Sequence, residues 1–465
     1  MRKIVCVLLL LTGIKSTEAA DLMDVYRQAL ENDTTFKAAY STFMANSEIL
    51  PQAKAALLPQ LTLKGQTSAN QQNVTAGEFT VKEAYRNQQW QLIASQSIFN
   101  YQAWSSLQQA KASVKAAHAT FNDAAQKLII RTTNAYLNVL YAQDTLSFAE
   151  AKKRANKRQL DQATQRFNVG LDAITSVYDA QSAYDQSIAD VIAAKNNIVT
   201  QSENLRQLTD HLYDHLAPLR HHNIPLISPE PDNNEEWIAT GLRQNYKLLA
   251  SKFNLQAARE NIKAQSAGNW PVLSLQGSTI QNRNSNPGGY TGTMPAGSNQ
   301  VIDNTVSGVF IPSTQQISNI AIAVNFPIFQ GGLVESQTRQ AQFNYQTSSE
   351  KMENVHRSLI VNTRITYNTI LSGISKIKAD RATLLSQENT VQSTESQFLV
   401  GTRTMVDVVI AQKNLFQAQQ QLAKDQYDYM NAILSLKYLA GSLNIADLEE
   451  LNSWLASQSV NATLH

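Results

Sequence analysis

From Tyr101 to Phe167 the chain carries no proline and no glycine. Along that stretch Leu107, Val114, Phe121, Leu128, Ala135, Ala142 and Ala149 recur at seven-residue spacing, and Ala103, Ala110, Ala117 and Ala124 hold the complementary position. An apolar seven-residue repeat is a coiled-coil seam, and small residues in it let helices approach closely. The pattern predicts one helix of roughly 65 residues, ~100 Å long at ~1.5 Å per residue. Gly170 ends it, and a second helix of about 40 residues returns. Upstream, residues 22–58 read as a helix stopped by Pro59. A strand starts at Leu61, a polar loop follows, and a second strand runs through Trp90, Leu92 and Ala94 to Phe99. Periodicity thus switches from helical to strand-like and back.

The later chain has the same plan. A helix covers 235–267, Pro271 breaks it, and strands lie near 272–280 and 316–329, with an Asn-, Gly-, Ser- and Pro-rich loop (281–315) between. Ile320, Ile322, Val324 and Phe326 share one face of the last strand. Phe167, Val169 and Gly170 return as Phe398, Val400 and Gly401, 231 residues later. Ala55 to Gly65 parallels Ala267 to Gly277, and Tyr136 parallels Tyr367. The chain therefore reads as a leader (1–20), two copies of one unit (21–217 and 233–444), a Pro- and His-bearing linker (218–232) and a tail (445–465). Glycine adopts the left-handed conformation that reverses a chain at a helix end. Both Val-Gly sites are accordingly expected to be tips of long helical hairpins.

Four strands in two hairpins cannot close a barrel, since the smallest membrane barrels use eight. Phe79, Tyr85, Trp90, Phe99, Tyr101 and Trp104 flank the first strand pair, and Phe310, Phe326 and Phe329 the second. Aromatic residues at strand ends suit a bilayer interface. Two readings stand: a small periplasmic β-sandwich with aromatic edges, or a barrel that only an oligomer completes.

Composition narrows the function. Arg2 and Lys3 precede an apolar run from Ile4 to Leu11, and Ala19-Ala20 offers a small-residue cleavage site, so residues 1–20 read as an export signal. No later run approaches the roughly 20 apolar residues of a transmembrane helix. The only cysteine, Cys6, lies inside the signal, so the mature chain is expected to hold no disulfide and no thiolate site. Without residues 1–20, which contain Arg2, Lys3, Lys15 and Glu18, the chain keeps 36 basic and 36 acidic side chains of 39 and 37. That balance gives no sign of a nucleic-acid partner.

The leader, the duplicated helix–hairpin–helix–helix unit and the two tips, Gln159-Leu160-Asp161-Gln162 through Arg166-Phe167-Asn168-Val169-Gly170-Leu171 and Val400-Gly401-Thr402-Arg403-Thr404-Met405-Val406-Asp407-Val408, resemble the TolC-like outer-membrane efflux and export channels. The resemblance spans essentially the whole mature chain. It implies a mainly α protein with membrane β structure: a homotrimer whose 12-stranded barrel, four strands per chain, continues into an α-helical tunnel through the periplasm. It also implies a gate at the tips, with Arg403 as the gate arginine and Asp407 ringing the constriction. Residues alone leave a plainer option, in which Arg403 and Asp407 pair four apart on one helix. The chain departs from the family pattern at three gate positions. Phe398 replaces a tyrosine, Ser176 an aspartate and Ile410 a second aspartate. Asp172 and Asp179 are candidates for the missing carboxylate. Val169, Gly170, Leu171, Val400, Gly401 and Thr402 are the carried-over adaptor contacts.

The implied partners are a periplasmic adaptor (membrane fusion protein), an inner-membrane RND, ABC or MFS transporter, and outer-membrane lipid; no cofactor is expected. His211 and His215, four apart on an expected helix, with His221 and His222 after them, lack the glutamate of a zinc protease. Lys152, Lys153, Arg154, Lys157 and Arg158 form a basic run read as an outer face. Gly331-Gly332 and Gly288-Gly289 lack the lysine of a phosphate loop. No nucleophile–base set stands out, so the chain is read as a non-enzyme. The expectation is a passive outer-membrane channel-tunnel for drugs and small toxic compounds and for proteins, driven from elsewhere. The alternatives are a dedicated type I protein-secretion duct and a non-channel periplasmic coiled-coil scaffold.

Overall fold

The computed structural model describes residues 19–76, 79–219, 224–285, 291–293 and 313–455. Cys6, the run Ile4 to Leu11, His221, His222, Gly288, Gly289 and Phe310 lie outside them. The chain divides into two compact units. One holds the described parts of Met1–Met44, Ala117–Ser251 and Met352–His465, and the other those of Ala45–Ala116 and Lys252–Lys351.

The two long helical pairs turn at the expected glycines, Gly170 and Gly401. α4 (Tyr101–Asn168) and α5 (Ile174–Thr209) form the first long pair, and α8 (Leu333–Leu399) and α9 (Met405–Ala440) the second. Their lengths are 68 and 36 residues, then 67 and 36. The burial of α4 bears out part of the expected seam: Leu128, Ala142 and Ala149 are buried, as are Ala103 and Ala110 of the complementary position. A second column, Ser105, Ala112, Ala119, Gln126, Thr133 and Leu140, is buried too, whereas Leu107, Val114 and Phe121 are half-buried.

The helix expected at 22–58 is three: α1 (Leu22–Asn32), α2 (Thr34–Ser47) and α3 (Ile49–Ala55). The one expected at 235–267 is two, α6 (Asn234–Gln244) and α7 (Tyr246–Ser266), before a 3-10 turn at Ala267–Asn269. Each repeat breaks at an Asp or Asn with the same capping chemistry. Asp33 is extended (ψ 113°), and its carboxylate accepts from the amides of Thr35 (3.3 Å) and Phe36 (3.1 Å). Asn245, 212 residues on, is also extended (ψ 123°), and its Oδ1 accepts from Leu248 N (3.0 Å). A side chain that satisfies the orphan amides of the next helix makes the break favourable without glycine or proline.

The first unit holds the main core. α1 packs on α5 and on α10 (Ile445–Ser453), α6 packs on α9, and α5 on α9. Leu22, Leu128, Leu137, Leu205, Ile370, Ile377, Met430, Leu434 and Leu448 are buried together. Tyrosines tie it: Tyr136 Oη donates to Ala217 O (2.8 Å), Tyr427 Oη to Asp144 (2.7 Å), and Tyr438 Oη to Asp123 (2.8 Å). His211 and His215 fall beyond the end of α5 at Thr209, where Asp210 turns left-handed (φ 53°), and not on a helix. Among the described residues no cluster of three or more His, Cys, Asp or Glu is placed to hold a metal, and no helix is long and apolar enough to cross a membrane.

The second unit carries one antiparallel sheet in the order β1 (Gln60–Ala76), β2 (Phe79–Phe99), β3 (Val272–Ser285), β5 (Ser313–Asn325), with β4 (Thr291–Thr293) on β2. The first hairpin is longer than expected, because the polar residues read as a loop between Leu63 and Trp90 continue the ladder. Within the loop expected at 281–315, β3 extends to Ser285 and β4 forms a short strand. The last strand stops at Asn325, so Pro327, Ile328 and Phe329 lie outside it. Tyr101 and Trp104 sit on α4 and not on a strand; the Tyr101 ring stacks on Trp270 at 4.8 Å, with Phe99 at 6.4 Å from Trp270. Trp90 lies over Gly65, where an added Cβ would meet its ring at 2.7 Å. The glycine leaves room for that cross-strand packing.

Candidate functional site at the helical tips

Cross-strand partners share a face, so the register sorts the sheet into two surfaces. Leu61 pairs Ala94, Leu63 pairs Leu92, Leu275 pairs Ile322 and Leu273 pairs Val324 on one face, joined by Trp90 and Ile320. All six of Leu61, Leu63, Trp90, Ile320, Ile322 and Val324 are exposed, and Ile320 is 83% accessible. The other face carries Thr62, Lys64, Gln91, Ser95, Gln276, Ser278 and Asn319, with Ile93, Ile280 and Ile317 among them. β1 and β5 end the order, so among the described residues each of these strands, 17 and 13 residues long, pairs on one side only.

The two tips have the same backbone. Gly170 (φ 77°) and Gly401 (φ 79°) are left-handed. At the first, Gly170 N donates to Phe167 O (2.9 Å) and Leu171 N to Arg166 O (2.8 Å); at the second, Gly401 N donates to Phe398 O (3.0 Å) and Thr402 N to Gln397 O (3.0 Å). This double closure is a Schellman motif, which satisfies the orphan carbonyls of the last turn. It leaves Val169, Leu171 and Val400 pointing outward at 69%, 66% and 75% exposure.

Within one chain the plainer pairing of Arg403 with Asp407 holds at the second tip. Arg403 stays within its own hairpin. Its Nε donates to Gln397 Oε1 (3.2 Å), and Nη1 stands 3.8 Å from Asp407 Oδ1. Asp407 is the third residue of α9 and completes a capping box: its Oδ2 accepts from Thr404 N (2.9 Å) and Thr404 Oγ1 (2.8 Å). Those bonds, more than nearby Arg403, hold its carboxyl below the usual range. Asp172, a candidate partner for Arg403, is instead gripped by Arg166 through Nε (2.8 Å) and Nη2 (3.5 Å). Asp179 is exposed and makes no ion pair among the described residues, and Ser176 donates its amide to Ala173 O (3.1 Å).

Phe398 is 5% exposed and lies in an apolar cluster with Leu160, Ala163, Ala180, Met405 and Val408. Arg166 covers its ring at 5.1 Å and also donates from Nη1 to Leu399 O (3.4 Å). Arg166 drew no assignment from the sequence; the only available signal was a cation in the last turn of a helix. Behind the cluster, a cavity of about 230 Å³ is lined by Gln159, Gln412, Glu395, Phe398 and Met405 among others. Glu395 accepts there from Gln412 (2.9 Å) and Gln159 (3.4 Å). In the basic run, Lys152 pairs with Asp190 (2.7 Å) and Lys157 with Asp161 (2.8 Å).

The outer membrane efflux protein family matches this chain twice, at residues 25–211 and 237–442. Outer membrane protein TolC of Escherichia coli is 34% identical over 98% of this chain and 90% of its own. Proteases secretion protein PrtF of Dickeya chrysanthemi is 27% identical over 96% and 93%. A solved structure of CusC superposes with a TM-score of 0.75 at 17% identity, covering 91% of this chain and 92% of that one. Full-length identity at that level, on a fold with an exposed apolar sheet face and paired helical hairpins, establishes that the chain belongs to the outer membrane efflux protein family.

Proposed function

We propose that three copies of this chain close a 12-stranded barrel in the outer membrane and form an export duct through the periplasm. The observation that carries this reading is the sheet with one exposed apolar face, one largely polar face and, among the described residues, two unpaired edges. In lipid every backbone donor and acceptor needs a partner, so such a sheet is stable only when closed on itself. Closure turns the face bearing Leu61, Leu63, Ile320 and Ile322 to lipid and the one bearing Lys64, Gln91 and Gln276 to water. The cluster of Phe99, Trp270, Tyr101 and Trp104 lies at the end of the sheet, where a bilayer interface favours aromatics. The plan of 21–217 and 233–444 as two copies of one unit fits this assembly, each contributing one hairpin to the wall.

The duct is passive and opens at the tips. Arg403 and Asp407 are the gate pair, and three copies of Asp407 around an axis give a field that favours cations. The exposed Val169, Leu171, Val400 and Thr402 beside the two glycines are the docking surface for a periplasmic adaptor, which couples the duct to an inner-membrane transporter. Cargo is small toxic compounds; kinship with PrtF, a protease secretion protein by name, supports a second reading in which the duct exports protein.

Purified oligomer in a planar bilayer tests the gate: small cation-selective openings that grow larger or longer in Arg403→Ala are expected. Absence of conductance from a well-folded trimer overturns the channel. A deletion strain separates the cargo readings, by sensitivity to dyes and detergents or by loss of a secreted protein.

A further inference from the structure

We infer that Arg166 is the positioning residue that joins the two tips of one chain, and that separation of α8 and α9 from α4 and α5 requires its release. The inference rests on the tips being the gate. Arg166 sits three residues before Val169, and its own carbonyl is locked by Leu171 N (2.8 Å), so its backbone is fixed by the turn. Its side chain then spans the two hairpins. On one side Nε and Nη2 fork onto the Asp172 carboxylate (2.8 and 3.5 Å), a geometry lysine cannot reproduce. On the other side Nη1 donates to Leu399 O at 3.4 Å. That carbonyl is at the C-terminal end of α8, where helix carbonyls lack intrahelical partners and a cation is favoured.

The central guanidinium carbon lies over the Phe398 ring, 5.1 Å from its centroid, and that ring is itself buried between the hairpins against Leu160, Ala180 and Met405. A cation over an aromatic face in a partly desolvated site is attractive whether or not the ring bears a hydroxyl. Phe398 is therefore held through its face, and the chain has no need of a hydroxyl there. Arg166 and Asp172 are 20% and 15% exposed, against 55% for Arg403, whose contacts stay within its own hairpin. Asp172 aims Arg166, so the carboxylate near the tip works inside the chain and does not serve Arg403.

The test is single-channel recording from the purified full-length protein in planar bilayers, with Arg403→Ala as the gate control. Arg166→Ala is expected to raise the open-to-closed ratio by about tenfold or more, the scale of a charged hydrogen bond lost. Arg166→Lys and Asp172→Asn should shift it part of the way. Phe398→Leu should open the channel, while Phe398→Tyr, which keeps the ring face, should match wild type. A second readout follows the link itself: spin labels on Val169→Cys and Val400→Cys, in labelled chains diluted with unlabelled ones, should report a broader distance distribution once Arg166→Ala is added. If Arg403→Ala opens the channel while Arg166→Ala matches wild type in both readouts, the inference is overturned and the gate stands. If the distance broadens while neither variant changes conductance, the link stands and the gate reading fails. A well-folded Phe398→Leu indistinguishable from wild type in both readouts also overturns it.

Discussion

Gly401→Ala is the sharpest probe of the tip. At φ 79° the residue is left-handed, yet an added Cβ would meet no atom within 4 Å. Crowding therefore contributes nothing, and the whole cost is the backbone conformation, about 1–2 kcal/mol for a residue with a Cβ. Reduced freedom of the unfolded alanine offsets part of it, which leaves a net cost of about 1 kcal/mol. Because the turn is a local structure, the cost should fall on local opening of residues 397–402, where Gly401 N and Thr402 N are bonded at 3.0 Å. About 1 kcal/mol corresponds to a roughly fivefold rise in the opened fraction. Hydrogen exchange followed by mass spectrometry on the peptide covering the second tip reads that factor directly. Gly401→Asn should lose less, since asparagine tolerates this region. Gly277→Ala in β3 is the control, because its backbone is not left-handed and its Cβ would meet only Asn319 O at 4.0 Å; it should be close to neutral. Wild-type protection in Gly401→Ala would show that the tip does not depend on the left-handed turn.

Other consequences are testable alongside. Ile322→Arg places a charge on the apolar face and should lose about 2–4 kcal/mol of barrel stability if near the bilayer midplane, seen as loss of protein from the outer-membrane fraction. Ala323→Arg, one residue away on the opposite face, should assemble normally and alter ion selectivity. Asn245→Ala removes the cap of α7 and the donors to Tyr438 O (3.4 Å) and Leu439 O (3.1 Å), and should cost about 1–2 kcal/mol by thermal melting in detergent. Asp33→Ala should cost more, because Arg131, which pairs with Asp33, loses its carboxylate as well. Asp380 is pushed up to about 6 by burial and by hydrogen bonding and charge repulsion with Asp425. The folded chain thus keeps a proton there that the unfolded chain has released. That contribution to stability is present below about pH 4 and lost as pH rises to about 6. Asp380→Asn should flatten this part of the pH–melting profile; an unchanged slope would refute the assignment.

Much of the fold was legible because its signals are long. Sixty-eight residues without glycine or proline define α4, and a Val-Gly pair echoed 231 residues later marks both tips. What escaped depends on short-range side-chain chemistry or on contacts distant in sequence. Asp33 and Asn245 break helices by capping the next one, which periodicity does not register. One buried column of α4 runs through Ala112, Ala119 and Thr133, positions outside the seven-residue apolar repeat. Arg166 and Phe398 are distant along the chain, and nothing in the pattern around either names the other. Resemblance pointed to Arg403 and Asp407, yet within one chain their nearest partners are local, and Asp407's strongest bonds cap its own helix.

The sheet order has a consequence of parity. In an antiparallel order β1-β2-β3-β5, the first and last strands run in opposite directions. In the proposed ring the β5 edge of one chain would therefore meet the β1 edge of the next antiparallel, whatever the number of copies. Pairing alone would not count subunits. Deleting a single edge strand would leave an odd set whose ends run the same way, and head-to-tail closure would then require one parallel seam per junction. A hairpin, by contrast, could be added or removed without changing the sense of the junction, so barrel circumference in this architecture is adjustable only in steps of two strands per chain.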